Sequence, residues 1–279
     1  MNLLGLPDDV PDEKGLYLSD VLSTSWHCVV DTGIHKDDVV AVWGAGPIGQ
    51  MVVDFAFYHG ASRVILIDGG NASWRLDYVK SKIPRTETID FTKLPKDESI
   101  TSQLKKMVHN GPDVALDCSS GEYAKGWGHY FETLFGVETD TSEMLNEMIT
   151  ALQPFGRIGV TGVYAGYVSW ILSFLLHWNA LLTAFTQTNH FNIGALMQTG
   201  IRLIGNGQAP VHIYWEHLLD LVRKSEIKPL RMLTHRILID DMEKLYSMFE
   251  KRENGIQKVF VATKFSATPC PGSPELVRL

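Results

Sequence analysis

The chain has 279 residues, 45% of them hydrophobic, enough for one large or two modest domains with a real core. A formal net charge of −7 argues against nucleic acid as a partner. Its three cysteines, Cys28, Cys118 and Cys270, lie far apart without C-x-x-C spacing; they give no zinc cluster and fit free thiols in a reducing, cytoplasmic setting.

Residues 1–36 open with a Pro/Asp/Glu-rich stretch. No positively charged leader with a small-residue cleavage site precedes it, so no secretory signal is expected. LYLSDVLSTSWHCVVDTGI then reads as a connecting helix that leads into the first strand. Residues Val39–Gly49, VVAVWGAGPIG, join an apolar, β-rich run to a Gly-x-Gly-x-x-Gly turn. Gly44 lets the chain leave the strand in a tight turn. Gly46 lets the backbone approach a diphosphate, and Gly49 lets the next helix pack closely on the strand. Pro47 suits a first helical turn, because its missing N–H would have had no intrahelical partner. Ile48, Val52, Phe55 and Ala56 repeat at helical spacing and give that helix a buried face. The helix start aims unpaired N–H groups and a positive dipole end at an anion.

A second apolar run, VILID, ends in Asp68, nineteen residues past Gly49. An acid there accepts hydrogen bonds from both ribose hydroxyls and repels a 2′-phosphate. Strand, glycine turn, helix and acid-tipped strand together point to NAD rather than NADP. The plainer alternative is a strand–turn–helix whose glycines serve packing alone.

Further units alternate. Trp74–Lys80 reads as a helix, Ile100–Val108 as an amphipathic helix, and Gly111-Pro112 as a turn into the strand Val114–Asp117. Glu143–Ala151 reads as a helix and Arg157–Thr161 as a strand; Arg202–Gly205 is a strand and Tyr214–Lys224 a helix. Alternating strands and helices predict an α/β fold, a Rossmann-type doubly wound parallel sheet covered on both faces. The last fifteen residues, with Pro269, Pro271 and Pro274, read as an irregular tail.

One block breaks the rhythm. Residues 168–187, VSWILSFLLHWNALLTAFTQ, carry no charge. Length and apolarity make the block a membrane-span candidate, but His177, Asn179 and its Ser and Thr residues weaken that reading, and it interrupts an α/β unit. Val168-Ser169 can be encoded by the bases of a common splice donor, and a codon for Gln187 can serve as acceptor. Removal keeps the frame and joins Tyr167 to Thr188. Translated intron is the leading reading, ahead of a buried or pocket-lining insertion and then a membrane span.

Several stretches carry a resemblance: LYLSDVLSTSWHCVVDTG, VAVWGAGPIGQ, VILID, DVALDC, GRIGVTGVYAG, TNHFNIGALMQTGIRLIGNGQAPVH and THRILIDDMEKLY. Together they resemble the zinc-dependent medium-chain alcohol dehydrogenases, most closely the branch around glutathione-independent formaldehyde dehydrogenase. The resemblance implies hydride transfer between NAD and a primary alcohol or hydrated aldehyde, with zinc as Lewis acid. Family members begin with a further GroES-like catalytic domain of roughly 150 residues, an ordinary domain length, which holds most of the zinc ligands. This chain begins near its end.

The resemblance assigns positions one by one. Asp20, in LSD, is similar to the third catalytic zinc ligand and is the sole candidate metal ligand; alone it will not hold zinc, which takes three protein ligands in a catalytic site. Thr24 matches a threonine beside the nicotinamide, and Ile48 an aliphatic residue pressing on that ring. Arg75 falls near the adenosine end, in a loose alignment. Val163 and Tyr164 follow a strand whose end meets the carboxamide, and Gln208 matches a cofactor-contacting glutamine. His190, in TNHFN, is a candidate site histidine.

The expected organisation is a linker and helix at 1–36, an NAD-binding domain at 37–228, a return segment of the catalytic domain at 229–265 and a tail at 266–279. The resemblance implies a homodimer, since members of that family pair through the nucleotide-binding sheet. Without the missing domain, THRILIDD and KVFVATKF are expected to be exposed strands with apolar faces. The intron reading predicts that mature cDNA lacks codons 168–187; a message that keeps them in every clone would end it.

Overall fold

The computed structural model describes residues 3–119, 142–162, 190–251 and 254–279. The uncharged block at 168–187 lies outside the described residues. Six strands form one all-parallel sheet: β1 (Val39–Trp43), β2 (Arg63–Asp68), β3 (Glu87–Asp90), β4 (Val114–Asp117), β5 (Arg157–Val160) and β6 (Arg202–Gly205). Their order is β3-β2-β1-β4-β5-β6, the doubly wound arrangement expected from the alternating units.

The period of two along the central strands divides the core into two layers. Val40 and Val42 of β1 and Val64 and Leu66 of β2 face one layer. Helices α2 (Ser23–Thr32), α3 (Pro47–Tyr58), α4 (Trp74–Lys82) and α8 (Val211–Arg223) contribute to it through residues such as Val29, Phe55, Val79 and Leu218. Ala41, Trp43, Ile65 and Ile67 face the other, built with α5 (Ile100–Met107) and α6 (Glu143–Ala151). Sheets buried on both faces read as continuous apolar runs, which is why β1 and β2 were legible. α5 starts on a reciprocal pair, with the Ser99 side chain accepting from the Ser102 N–H (3.0 Å) and Ser102 Oγ accepting from the Ser99 N–H (2.9 Å).

Three elements were not expected from the sequence. β3 buries one residue, Ile89. The helix α7 (Ile193–Thr199) has no buried residue. The helix α9 (Met242–Lys251) buries only Leu245.

The exposed return strands expected from the sequence are not what forms. β7 (Leu233–Leu238) pairs in parallel with β8 (Lys258–Ala262) and with a short β9 (Leu276–Val277). Leu233, Phe260 and Ala262 join the first core layer of the main sheet. Ile237, fully buried, packs on the opposite face with Leu245 and Ile256, beside Val259 and Val261. α9, arriving between the two strands, supplies the cover. Apolar exposure persists at Ile239 and Phe265, just past the strand ends. The stretch read as an irregular tail contributes β9. At the other end of the chain, a short α1 (Asp12–Gly15) and a π-helical turn, Leu18–Leu22, bring Tyr17, Leu18 and Leu22 into the first core layer.

Among the described residues no helix is long and apolar enough to cross a membrane. Because β7 is the central strand of a covered sheet, its amides are expected to exchange slowly at Arg236–Leu238. Ile237→Ala is expected to cost about 2–5 kcal/mol in chemical denaturation. Fast exchange there would restore the exposed-strand picture.

Candidate active site

The glycine turn is a steric solution. A Cβ on Gly49 would sit 1.8 Å from the Gly44 carbonyl oxygen, so no other residue fits without moving the loop. Gly44 has φ +99°, and a Cβ there would meet the Cys118 carbonyl at 2.8 Å. Gly46 differs: nothing lies within 4 Å of where its Cβ would be. Its position opens onto empty space at the start of α3, where Pro47 occupies the first turn. A diphosphate fits a cradle of this kind, with free backbone N–H groups and the positive helix end facing it.

Asp68 closes the other side of the loop. It is buried at the end of β2, and its Oδ2 accepts the Ala45 N–H (2.7 Å) while Oδ1 accepts the Gly69 N–H (2.7 Å). Each oxygen keeps a lone pair for a further donor. Burial raises its pKa above the usual carboxylate range, against the pull of those two amides and of Arg75. Asp90, its register partner on β3, pushes the same way as burial. Because the folded-state pKa is raised, the protonated carboxyl is the form that favours folding; its contribution is fully present below the unfolded pKa and is lost as pH rises through the folded value.

Residues far apart in sequence meet in one cleft of about 450 Å³. Asp20, Thr24, Pro47, Ile48 and Gln208 all line it. The Thr24 hydroxyl donates to Asp20 Oδ1 over 3.4 Å, and Ser25 Oγ donates to the Ile48 carbonyl (3.1 Å), tying α2 to the start of α3. Arg75 stands near Asp68 rather than in this cleft, its guanidinium 5.8 Å from the Trp74 ring centre. Val163 and Tyr164 lie outside the described residues. His190 is exposed and does not line the cleft; its carbonyl accepts from Asn146 Nδ2 (2.9 Å).

The fold adds residues that sequence reasoning missed. Lys258, the first residue of β8, lines the cleft and brings a positive charge to it. Thr161 also lines it; the residue is 9% exposed and its hydroxyl has no hydrogen-bond partner among the described residues. A buried hydroxyl without a partner is one that a ligand amide or hydroxyl would satisfy. Gln50, buried one position past the last glycine, donates from Nε2 to the Ala45 carbonyl (2.9 Å) and to Gln257 Oε1 (2.7 Å). The Ala45 peptide is thus gripped at its N–H by Asp68 and at its C=O by Gln50. A polar residue just after the glycine motif, inside an otherwise apolar helix face, was the available signal for Gln50; Lys258 had none.

The donor set tests the two expected cofactors differently. The open cradle, Asp68 and the orphaned Thr161 hydroxyl fit a dinucleotide. Asp20 with a threonine hydroxyl does not fit zinc, which needs three protein ligands. Among the described residues no three His, Cys, Asp or Glu side chains form a metal-holding group.

No protein-family model matches the chain. Curated relatives do. A zinc-type alcohol dehydrogenase-like protein of Schizosaccharomyces pombe is 30% identical over 262 residues, 93% of this chain and 55% of that one. An uncharacterized zinc-type alcohol dehydrogenase-like protein of Bacillus subtilis, AdhB, is 27% identical over 249 residues, 89% of this chain and 59% of that one. The chain therefore spans between half and two thirds of the length of these relatives. Among solved structures, a zinc-dependent alcohol dehydrogenase from Streptococcus pneumonia superposes with TM-score 0.69 at 18% identity, over 95% of this chain and 62% of that one. A structure titled a short chain alcohol dehydrogenase, from E. coli CFT073 and solved with NADH, gives TM-score 0.66 at 19% identity, over 93% of this chain and 62% of that one. With the six-strand order, the glycine turn and Asp68 in place, the chain is similar in sequence to zinc-type alcohol dehydrogenase-like proteins and shares the fold of solved alcohol dehydrogenases.

Proposed function

We propose that this chain is the NAD-binding half of an oxidoreductase that moves hydride between NAD and a primary alcohol or hydrated aldehyde, in the branch around glutathione-independent formaldehyde dehydrogenase. The observation that carries the reading is the open backbone cradle at Gly46 beside the carboxylate of Asp68. The amides around Gly44–Gly49 would hold the diphosphate, and Lys258 would offset its charge from across the cleft. Asp68 would accept the adenosine ribose hydroxyls, with Arg75 near the same end. Ile48 would support the nicotinamide ring from the cleft wall, next to Gln208 and Thr161; Val163 and Tyr164 are the proposed carboxamide neighbours. The bound nicotinamide supplies the hydride acceptor.

Thr24 is the proposed catalytic residue: its hydroxyl donates to Asp20 and keeps lone pairs to accept a substrate O–H. No step is routed through zinc, because the residues around Asp20 do not fit it. That single carboxylate favours a second reading, a binding module that holds NAD without catalysis. A homodimer through the edge strand β6 is supported by the exposure of Arg202, Leu203 and Gly205 there. A cytoplasmic location is supported by Cys28, Cys118 and Cys270, all free thiols.

Titration calorimetry is expected to show NADH binding at one site. Asp68→Ser is expected to weaken it roughly tenfold or more, since bonds to a charged acceptor are worth about 1.5–3 kcal/mol, and to narrow the preference over NADPH. No heat with NADH and no effect at position 68 would end the reading. The raised pKa of Asp68 sets a pH dependence: the ionised form binds the ribose, so NADH affinity is expected to fall on acidification earlier than an ordinary carboxylate would require. Asp68→Asn is expected to flatten that profile; an unchanged profile would place the titrating group elsewhere. Turnover of a primary alcohol with NAD separates the catalytic reading from the binding module.

A further inference from the structure

We infer that a second cleft, with a lining separate from that of the first, is a binding site for a small doubly charged anion of the phosphate-monoester class. The cleft encloses about 330 Å³ and shares no lining residue with the first one. Four cations from three places line it: Lys14 in the last turn of α1, Lys82 at the end of α4, and Lys228 and Arg231 at the start and within the 3₁₀ turn Pro229–Met232. Among the described residues no carboxylate lines it. This is against the trend of a chain that carries 32 acids and 25 bases.

Charge pairing within the protein accounts for one of the four. Arg231 contacts Asp54 on α3. Lys228 adds only a longer-range pull on that carboxylate. Lys82 leans over the Tyr78 ring, its Nζ 5.4 Å from the ring centre. Among the described residues, Lys14, Lys82 and Lys228 have no carboxylate within salt-bridge distance. A lysine at a helix C-terminus is ordinary by itself, since it complements the dipole. Convergence of three lysines from separate elements on one concavity, one of them (Lys228) at the start of a turn, is not explained by capping. Like charges around a concave wall repel one another and focus a positive potential into it, and a compact anion relieves both.

The lining also limits what fits. Buried Ile227 and half-buried Leu230 give the lining an apolar part, and Ser225 a hydroxyl. The volume stands at the lower end of small-molecule sites. A dianion with a small organic body suits a lining that is part cationic and part apolar. Lysines meet phosphate as point charges from several directions, and here they arrive from three elements. A flat acidic protein surface would engage Lys82 and Lys228 but not the apolar part.

The test uses the full chain and inorganic phosphate as probe, titrated calorimetrically against a chloride background of constant ionic strength. Phosphate can also enter the glycine cradle, so variants separate the two. Combining Lys82→Gln with Lys228→Gln is expected to weaken phosphate binding at least tenfold without moving the thermal midpoint, and Lys228→Arg to retain it. Phosphate binding that follows Lys258→Gln instead, or that chloride abolishes at equal ionic strength, overturns the proposal. So does an Asp/Glu-rich peptide that binds the same lysines more tightly than phosphate.

Discussion

The contact that orders everything else is the approach of Gly49 to the Gly44 carbonyl. With no room for a Cβ at Gly49, α3 comes down close on the end of β1. That closeness sends the intervening residues outward, so Gly46 faces open space while Ala45 turns inward. Once Ala45 points inward, its peptide needs partners, because a buried N–H or C=O left unpaired is costly. Asp68 and Gln50 supply them. Main-chain geometry, more than side-chain chemistry, shapes the cradle.

Asp68 works under competing demands. Its burial disfavours the charge that a ribose would need, while the amides of Ala45 and Gly69 restore part of what water would have given. The carboxylate fixes the loop and remains available to a ligand at once, since each oxygen has a second lone pair. Asp90 beside it stays ionised, its pKa held down to about 2: burial opposes this, but hydrogen bonds from Thr92, Lys93 and Ser73 outweigh it. Two acids on neighbouring strand ends therefore titrate apart, and Arg75 stands near the one that has no lysine bonded to it. A small change in this charge pattern would shift the preference between a ribose and its phosphorylated form.

The return segment forms a small core of its own against the main sheet. β7 and β8 direct Leu233, Phe260 and Ala262 into the main core and turn Ile237, Val259 and Val261 toward α9. The expectation of bare strands treated the segment as a passenger of an absent domain. It overlooked that MEKLYSMFEK supplies its own cover, although its apolar residues are spaced at helical intervals. The same segment serves the site: Gln257 bonds Gln50 beneath the glycine loop, and Lys258, next in sequence, faces the cleft. Two adjacent residues thus link the sheet's stability to the nucleotide cradle.

The sequence by itself determined the sheet's central strands, the helices with one apolar face, the glycine turn and its acid. Those signals are local, because period-two and period-3.6 burial and the steric demands of a tight turn are written in neighbouring residues. Weakly buried elements such as β3 and α7 left no such pattern. The meeting of Asp20, Thr24, Ile48 and Gln208 in one cleft was foreseen only through resemblance; no spacing rule reaches across 188 positions, from 20 to 208. Lys258, the Gln50–Gln257 bond and the lysine-lined second cleft were decided by tertiary structure alone. Each depends on where the return strands dock, and docking is set by shape and burial summed over the whole core, which no short window of sequence contains.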